Sequence, residues 1–155
     1  MSDHFALVKW TRRKSEVFTN NKYSRRHIWQ FDEGIQVPAS VAPSLVVPPY
    51  SSADAVDPEE AFVASLSSCH MLFFLSIAAR QHLVVDSYTD HAVGTMEINN
   101  VGRISITKVI LRPKVVFQGE NVPSYDQVKA IHDNSHQQCF IANSVNTEVI
   151  IDIEM

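Results

Sequence analysis

The chain has 155 residues, 45% of them hydrophobic and 19% charged, with a formal net charge of −4. That is enough chain for one domain with its own core, spanning residues 1–155. A mildly acidic chain without a basic block gives no electrostatic ground for binding nucleic acid or an anionic membrane. The opening MSDHFALVKWTRRK is polar at its start and soon interrupted by charge, so it does not read as a signal peptide, and a cytoplasmic protein is expected. In that reducing compartment the two cysteines, Cys69 and Cys139, are more often catalytic, metal-binding or simply buried than a structural disulfide.

In chain order, residues 5–10, 15–19 and 26–31 are short runs rich in aromatic and β-branched residues and read as strands. Asp32-Glu33-Gly34 reads as a turn into a further short strand, Ile35 to Val37. Residues 38–57 hold Pro38, Pro43, Pro48 and Pro49 among several serines and read as an ordered loop, because each proline removes a backbone donor and fixes φ. Asp57-Pro58-Glu59-Glu60 is a helix start: Asp57 can cap, Pro58 suits the first helical position, and Glu60 stands where a capping-box acid would. The following residues 61–79 carry no charge and are apolar on all sides, which suits a helix buried in protein or in lipid. Ser65, Ser67, Ser68 and His70 near its middle, and β-like sequence on both sides, favour a central helix buried in protein over a membrane span. After Arg80 the pattern returns to β in residues 83–88, 92–98, 104–111 and 114–117, an expected antiparallel series. Pro123 opens a second helix, Tyr125 to about Gln137, with Val128, Ile131 and His132 facing inward. Cys139 follows at once, and a strand from Thr147 to Ile153 closes an α+β chain.

Two residues hold most of the chemical interest. A thiol in the middle of an uncharged helix, as Cys69 is, keeps a high pKa and behaves as a small hydrophobe unless a cation is brought to it. The arginines available from the preceding β region are Arg25 and Arg26, or Arg12 and Arg13. Cys139 stands where helical sequence breaks and restarts, which would place it near a new helix N-terminus, a setting that favours thiolate. If the two sulfurs meet, they form the attacking and resolving pair of a peroxidase that cycles through a sulfenic acid and a disulfide. A zinc site built from Cys69, His70, His136 and Cys139 has neither a recognised spacing nor, for the adjacent pair, a common direction, so no metal and no cofactor is expected.

The stretch DPEEAFVASLSSCHM, residues 57–71, resembles the helix signature of the organic hydroperoxide resistance and osmotically inducible protein C (OsmC/Ohr) family, in which an acidic opening stands ten residues before the reactive cysteine; here Glu59 precedes Cys69 by ten. HQQCFIANS, residues 136–144, is similar to the second cysteine motif of that family, and YSRRHIWQFDEG, residues 23–34, matches its arginine-bearing segment more loosely. The wording around His70 looks more like the broad osmotically inducible branch. The resemblance implies antiparallel sheets around a long central helix, an intertwined homodimer, and reduction of an organic hydroperoxide at the expense of an external dithiol. It implies that Cys69 is the peroxidatic thiol, Cys139 the resolving thiol, and Glu59 the carboxylate orienting an arginine. Spacing back from Gly34 favours Arg25 over the adjacent Arg26 for that arginine. Ten helical residues rise about 15 Å, so Glu59 and its arginine are expected to serve the Cys69 of a second subunit. Two other functions fit parts of the pattern: a non-catalytic module binding a small apolar ligand among Phe62, Phe73 and Phe74, and a thiol hydrolase pairing Cys69 with His70 or His136.

Overall fold

The computed structural model describes residues 1–154; Met155, the last residue of the expected domain, lies outside them. The chain divides into two compact units, Met1–Ala61 and Phe62–Met155. In the first, β1 (Leu7–Lys9), β2 (His27–Gln30) and β3 (Gln36–Ala39) form an antiparallel sheet in the order β1-β2-β3. β3 continues through Pro38, where a loop was expected to begin. It can do so because β3 is the last strand of its sheet and the missing N–H faces away from β2, on the side where the Pro38 carbonyl accepts the Val56 N–H, so the β2 ladder keeps its bonds.

Residues 15–19 do not form the strand their composition suggests. Phe18 sits at φ 69°, a left-handed conformation that interrupts extended backbone. Its ring joins a tertiary cluster instead, with centroids 5.8 Å from Trp10 and 4.7 Å from Tyr23. The Trp10 indole N–H donates to the Ser24 carbonyl at 2.8 Å, and Glu16 accepts the Ser24 N–H at 2.8 Å. Packing within this loop thus overrides the β preference of Val17 and Phe18.

The long helix α1 (Pro58–Arg80) starts as its sequence dictates. Asp57 accepts the Glu60 N–H at 2.8 Å, and the Glu60 carboxylate accepts the Asp57 N–H at 3.1 Å, a reciprocal capping box. α1 is long and apolar enough to cross a membrane. Yet a stripe at helical spacing, Leu66, His70, Phe74, Ile77 and Ala78, is buried within the chain, which makes α1 a core helix.

In the second unit, β4 (Val84–Asp90) pairs antiparallel with β7 (Pro113–Gln118), while β5 (Val93–Ile98), β6 (Ile104–Leu111) and β8 (Glu148–Ile151) form a separate sheet in the order β5-β6-β8. β8, outside the four strands of the expected antiparallel series, runs parallel to β6. A parallel partner needs a crossover, and β7 with helix α2 (Tyr125–Gln138) supplies it. The two halves of α1 serve two separate cores. Leu66 packs with Val109 and Leu111 of β6, joined by partly buried Phe62 and Val63. Phe74, Ile77 and Ala78 pack with Val128 and Ile131 of α2 and with side chains of β4 and β7.

One glycine lets the first of these cores close. A Cβ placed on Gly94 of β5 would come within 2.6 Å of the Val63 Cγ2 on α1. Valine is stiff at χ1 and cannot swing clear without repacking. Gly94→Ala is expected to cost about 1–3 kcal/mol of stability. Adding Val63→Ala should recover part of that loss, which a double-mutant cycle by denaturant unfolding would measure.

Candidate functional site

Cys69 lies on α1 and is half-buried; Cys139 is the C-cap of α2 and is buried, and both thiols are free. The fold brings them together. Burial first, and then the nearby Cys69 thiol, pushes the Cys139 thiol up to about 11. The Ala142 N–H, at the start of the short 3₁₀ turn Ala142–Ser144, donates to the Cys139 Sγ at 3.4 Å and works in the opposite direction. The expectation of a thiolate favoured by a new helix N-terminus at Cys139 is therefore half met. The helical turn is present, but desolvation outweighs the backbone N–H groups of Ala142 and Ile141. At neutral pH Cys139 stays a protonated thiol beside Cys69.

An aromatic edge borders the pair. Phe73, one helical turn after Cys69, meets Phe140, next to Cys139, edge-to-face with centroids 5.1 Å apart. Phe140 is 71% exposed, so this edge lies open. Phe74, also expected beside an apolar pocket, is instead fully buried in the core against Tyr88 and His132.

The arginines and the carboxylate belong to the first unit. Both terminal nitrogens of Arg25 are engaged inside its own loop, donating to the Tyr23 carbonyl at 2.7 Å, the Asn21 carbonyl at 3.1 Å and the Asn21 Oδ1 at 2.7 Å. Its guanidinium lies 3.9 Å from the centroid of the Tyr23 ring. Arg26 makes an ion pair with Asp54 at 2.8 Å. Arg12 donates to the backbone carbonyls of Arg13, Lys14 and Glu16. Glu59 makes no ion pair among the described residues, and its buried Oε2 has no hydrogen-bond partner there.

A second constellation stood unrecognised in the sequence. His70 and His132 are fully buried, stack with their rings 6° from parallel, and share a 2.9 Å hydrogen bond between His70 Nε2 and His132 Nδ1. Burial, with the His136 imidazole nearby, lowers His70 to about 4. Burial, with His70 beside it, lowers His132 to about 3. Both rings are neutral at pH 7, as a mutual hydrogen bond requires, one donating and the other accepting. The signal was legible in part: His70 falls on the Leu66–Phe74–Ile77 stripe, and His132 stands between Ile131 and Ser135 on the buried face of α2. His132 and His136, four residues apart on α2, make no hydrogen bond to each other; His132 bonds across to α1. No histidine nitrogen bonds to the Cys69 sulfur among the described residues, which leaves the hydrolase arrangement without its base. Among the described residues no group of three or more His, Cys, Asp or Glu side chains is disposed to hold a metal.

Asp90 at the end of β4 ties the same region of α1 to the sheet. It accepts the Ser67 hydroxyl on one carboxylate oxygen and the Arg112 N–H at 2.6 Å on the other.

A family model described as OsmC-like protein matches residues 51–154. The chain is similar to an OsmC-like protein of unknown function from Vibrio cholerae, with 55% identity and a TM-score of 0.98 over 99% of this chain and 100% of that one. It shares its fold with an organic hydroperoxide resistance protein from Elizabethkingia anophelis, at 16% identity and a TM-score of 0.70 over 99% of this chain and 96% of that one. The organic hydroperoxide resistance protein OhrB of Bacillus subtilis is likewise similar, at 15% identity and a TM-score of 0.65 over 97% and 98%. Comparison with curated proteins finds no match.

The histidine pair makes stability depend on pH in a stated direction. In the unfolded chain each imidazole takes a proton near its ordinary value of 6.5, whereas the folded pair stays neutral to about 4. Stability that is complete above the unfolded value is therefore lost as pH falls toward the folded one, by roughly 3 kcal/mol for each ring between about pH 7 and pH 4. Urea unfolding across that range should show a steeper acid loss for the wild type than for the double variant His70→Leu/His132→Leu.

Proposed function

We propose, for a chain that belongs to the OsmC-like protein family, that it is a cytoplasmic two-cysteine thiol peroxidase acting on organic hydroperoxides, with residues 1–155 working as one domain. The observation that carries this reading is a half-buried Cys69 beside a buried, protonated Cys139. That arrangement suits one thiol to meet substrate and the other to wait.

The Cys69 thiolate attacks the distal oxygen of the hydroperoxide. The O–O bond breaks, the alkoxide takes up a proton, and Cys69 is left as a sulfenic acid. The Cys139 sulfur then attacks the Cys69 sulfur. The S–O bond breaks, the hydroxyl leaves as water with the Cys139 proton, and a disulfide forms. An external dithiol restores both thiols by exchange. Because Cys139 is held near 11, it does not compete for peroxide before Cys69 is oxidised. The open edge of Phe73 and Phe140 gives the organic group of the substrate an apolar surface.

Arg25 is the proposed activating cation and Glu59 its orienting partner, acting on Cys69 of the partner subunit in an intertwined homodimer. Glu59 supports this through a buried carboxylate oxygen that lacks a donor. For Arg25 the pairing requires the guanidinium to leave its contacts with Asn21 and Tyr23 and present its fork to carboxylate and peroxide. Exposed apolar side chains, among them Leu72 on α1 and Leu7 and Val8 on β1, are the kind of surface a second copy covers.

Free-thiol titration after one addition of cumene hydroperoxide tests the chemistry. The wild type should lose both thiols, Cys139→Ser should yield a trappable sulfenic acid on Cys69, and Cys69→Ser should not react. Unchanged thiols in the wild type would overturn the peroxidase and favour a binding module on the same fold. Arg25→Ala should slow Cys69 oxidation by about a hundredfold or more, as loss of a positioned charged donor does, with Glu59→Gln in the same direction. Sedimentation should give twice the 17.4 kDa chain mass.

A further inference from the structure

Among the described residues, one hydrogen bond joins α1 to α2, the buried contact between His70 Nε2 and His132 Nδ1 at 2.9 Å. Most of the rest of that interface is apolar, chiefly Phe74 and Ile77 with Val128 and Ile131, with the Phe74 ring 4.3 Å from that of His132; His136 also approaches His70, and His70 Nδ1 and His132 Nε2 have no partner among the described residues. Apolar surfaces tolerate sliding at small cost because dispersion and burial have little direction. Two buried ring nitrogens do not. A shift of either helix by a fraction of a turn would leave a donor and an acceptor unpaired in a dry core.

The consequence falls on the thiols because of where the two histidines stand. His70 directly follows Cys69 on α1. His132 lies seven residues before Cys139 on α2, about 10 Å of rigid helix, and Cys139 is the cap of that helix, its N–H bonded to the His136 carbonyl at 3.3 Å. Fixing His132 against His70 therefore fixes the end of α2, and with it the Cys139 sulfur, relative to Cys69.

We propose that His70 and His132 are positioning residues for the thiol pair: their buried hydrogen bond sets the register of α2 on α1 and so the effective concentration of Cys139 at Cys69. In function this rests on the two-thiol reading above, where it governs closure of the disulfide and not the attack on peroxide. Its test needs no peroxide.

The measurement is the equilibrium of purified full-length protein with glutathione, in which the Cys69–Cys139 disulfide and two glutathione thiols exchange with the dithiol and one glutathione disulfide. His132→Leu keeps bulk and removes the ring nitrogen; it should lower the effective concentration at least tenfold. His132→Asn carries a polar atom near the position of Nδ1 and should stay within threefold of the wild type. In a Cys139→Ser background, His132→Leu should change the rate of Cys69 sulfenic acid formation less than twofold, which separates positioning from general damage. Should His132→Leu fail to fold, His132→Gln, with its nitrogen displaced by one bond, makes the same comparison. A folded His132→Leu with an unchanged equilibrium would overturn the proposal, as would an asparagine variant that falls as far as leucine, or a wild type that forms no such disulfide. Failure of the wild type to react with hydroperoxide would sink the peroxidase reading and leave the glutathione result intact.

Discussion

Nineteen consecutive uncharged residues in α1 impose the constraint on which the second unit is built. Such a helix calls for cover, and the chain covers one stripe of it with two different surfaces along its length. The β5-β6-β8 sheet takes the half around Leu66, and α2 with the β4–β7 pair takes the half around Phe74 and Ile77. Cys69 lies between those two halves. It is thus held on a rigid element that is anchored on either side, while the thiol itself stays only half-buried. A reactive group placed on such a helix is located more closely than one on a loop could be.

Around the middle of that helix four sets of polar groups are bound or neutral. Ser67 is held by Asp90, which in turn accepts a backbone N–H from Arg112. His70 and His132 bond to each other, and desolvation keeps both uncharged. Tyr88, partly buried near Asp90, is pushed upward and stays a phenol, chiefly by burial and then by the nearby carboxylate. Cys139 is held as a thiol by the same desolvation. A dry, uncharged interior next to two sulfurs favours a division of labour in which ionisation happens only where a cation is supplied. In the proposed mechanism that cation comes from Arg25, whose donors rest meanwhile on Asn21 and Tyr23.

The elements legible in the sequence were those set by local rules. The capping box at Asp57 and Glu60, the central helix, the four middle strands and the second helix all follow from capping chemistry, prolines and apolar periodicity, and each forms close to its expected bounds. The misses have a common cause. Residues 15–19 carry strand-forming side chains, but Trp10, Phe18 and Tyr23 gather into a cluster that no local pattern announces. β8 reads as one more strand, and nothing in its four residues specifies that it lies parallel to β6.

The sequence by itself determined the two cysteine motifs, the helix that carries Cys69 and the α+β order, because short-range spacing encodes all three. Only the tertiary structure decided that sulfurs 70 residues apart become neighbours, that Cys139 is a buried thiol and not a thiolate, and that His70 faces His132. Those facts depend on desolvation and on the register between two helices. Both are properties of the packed chain, to which residues far apart in sequence contribute together.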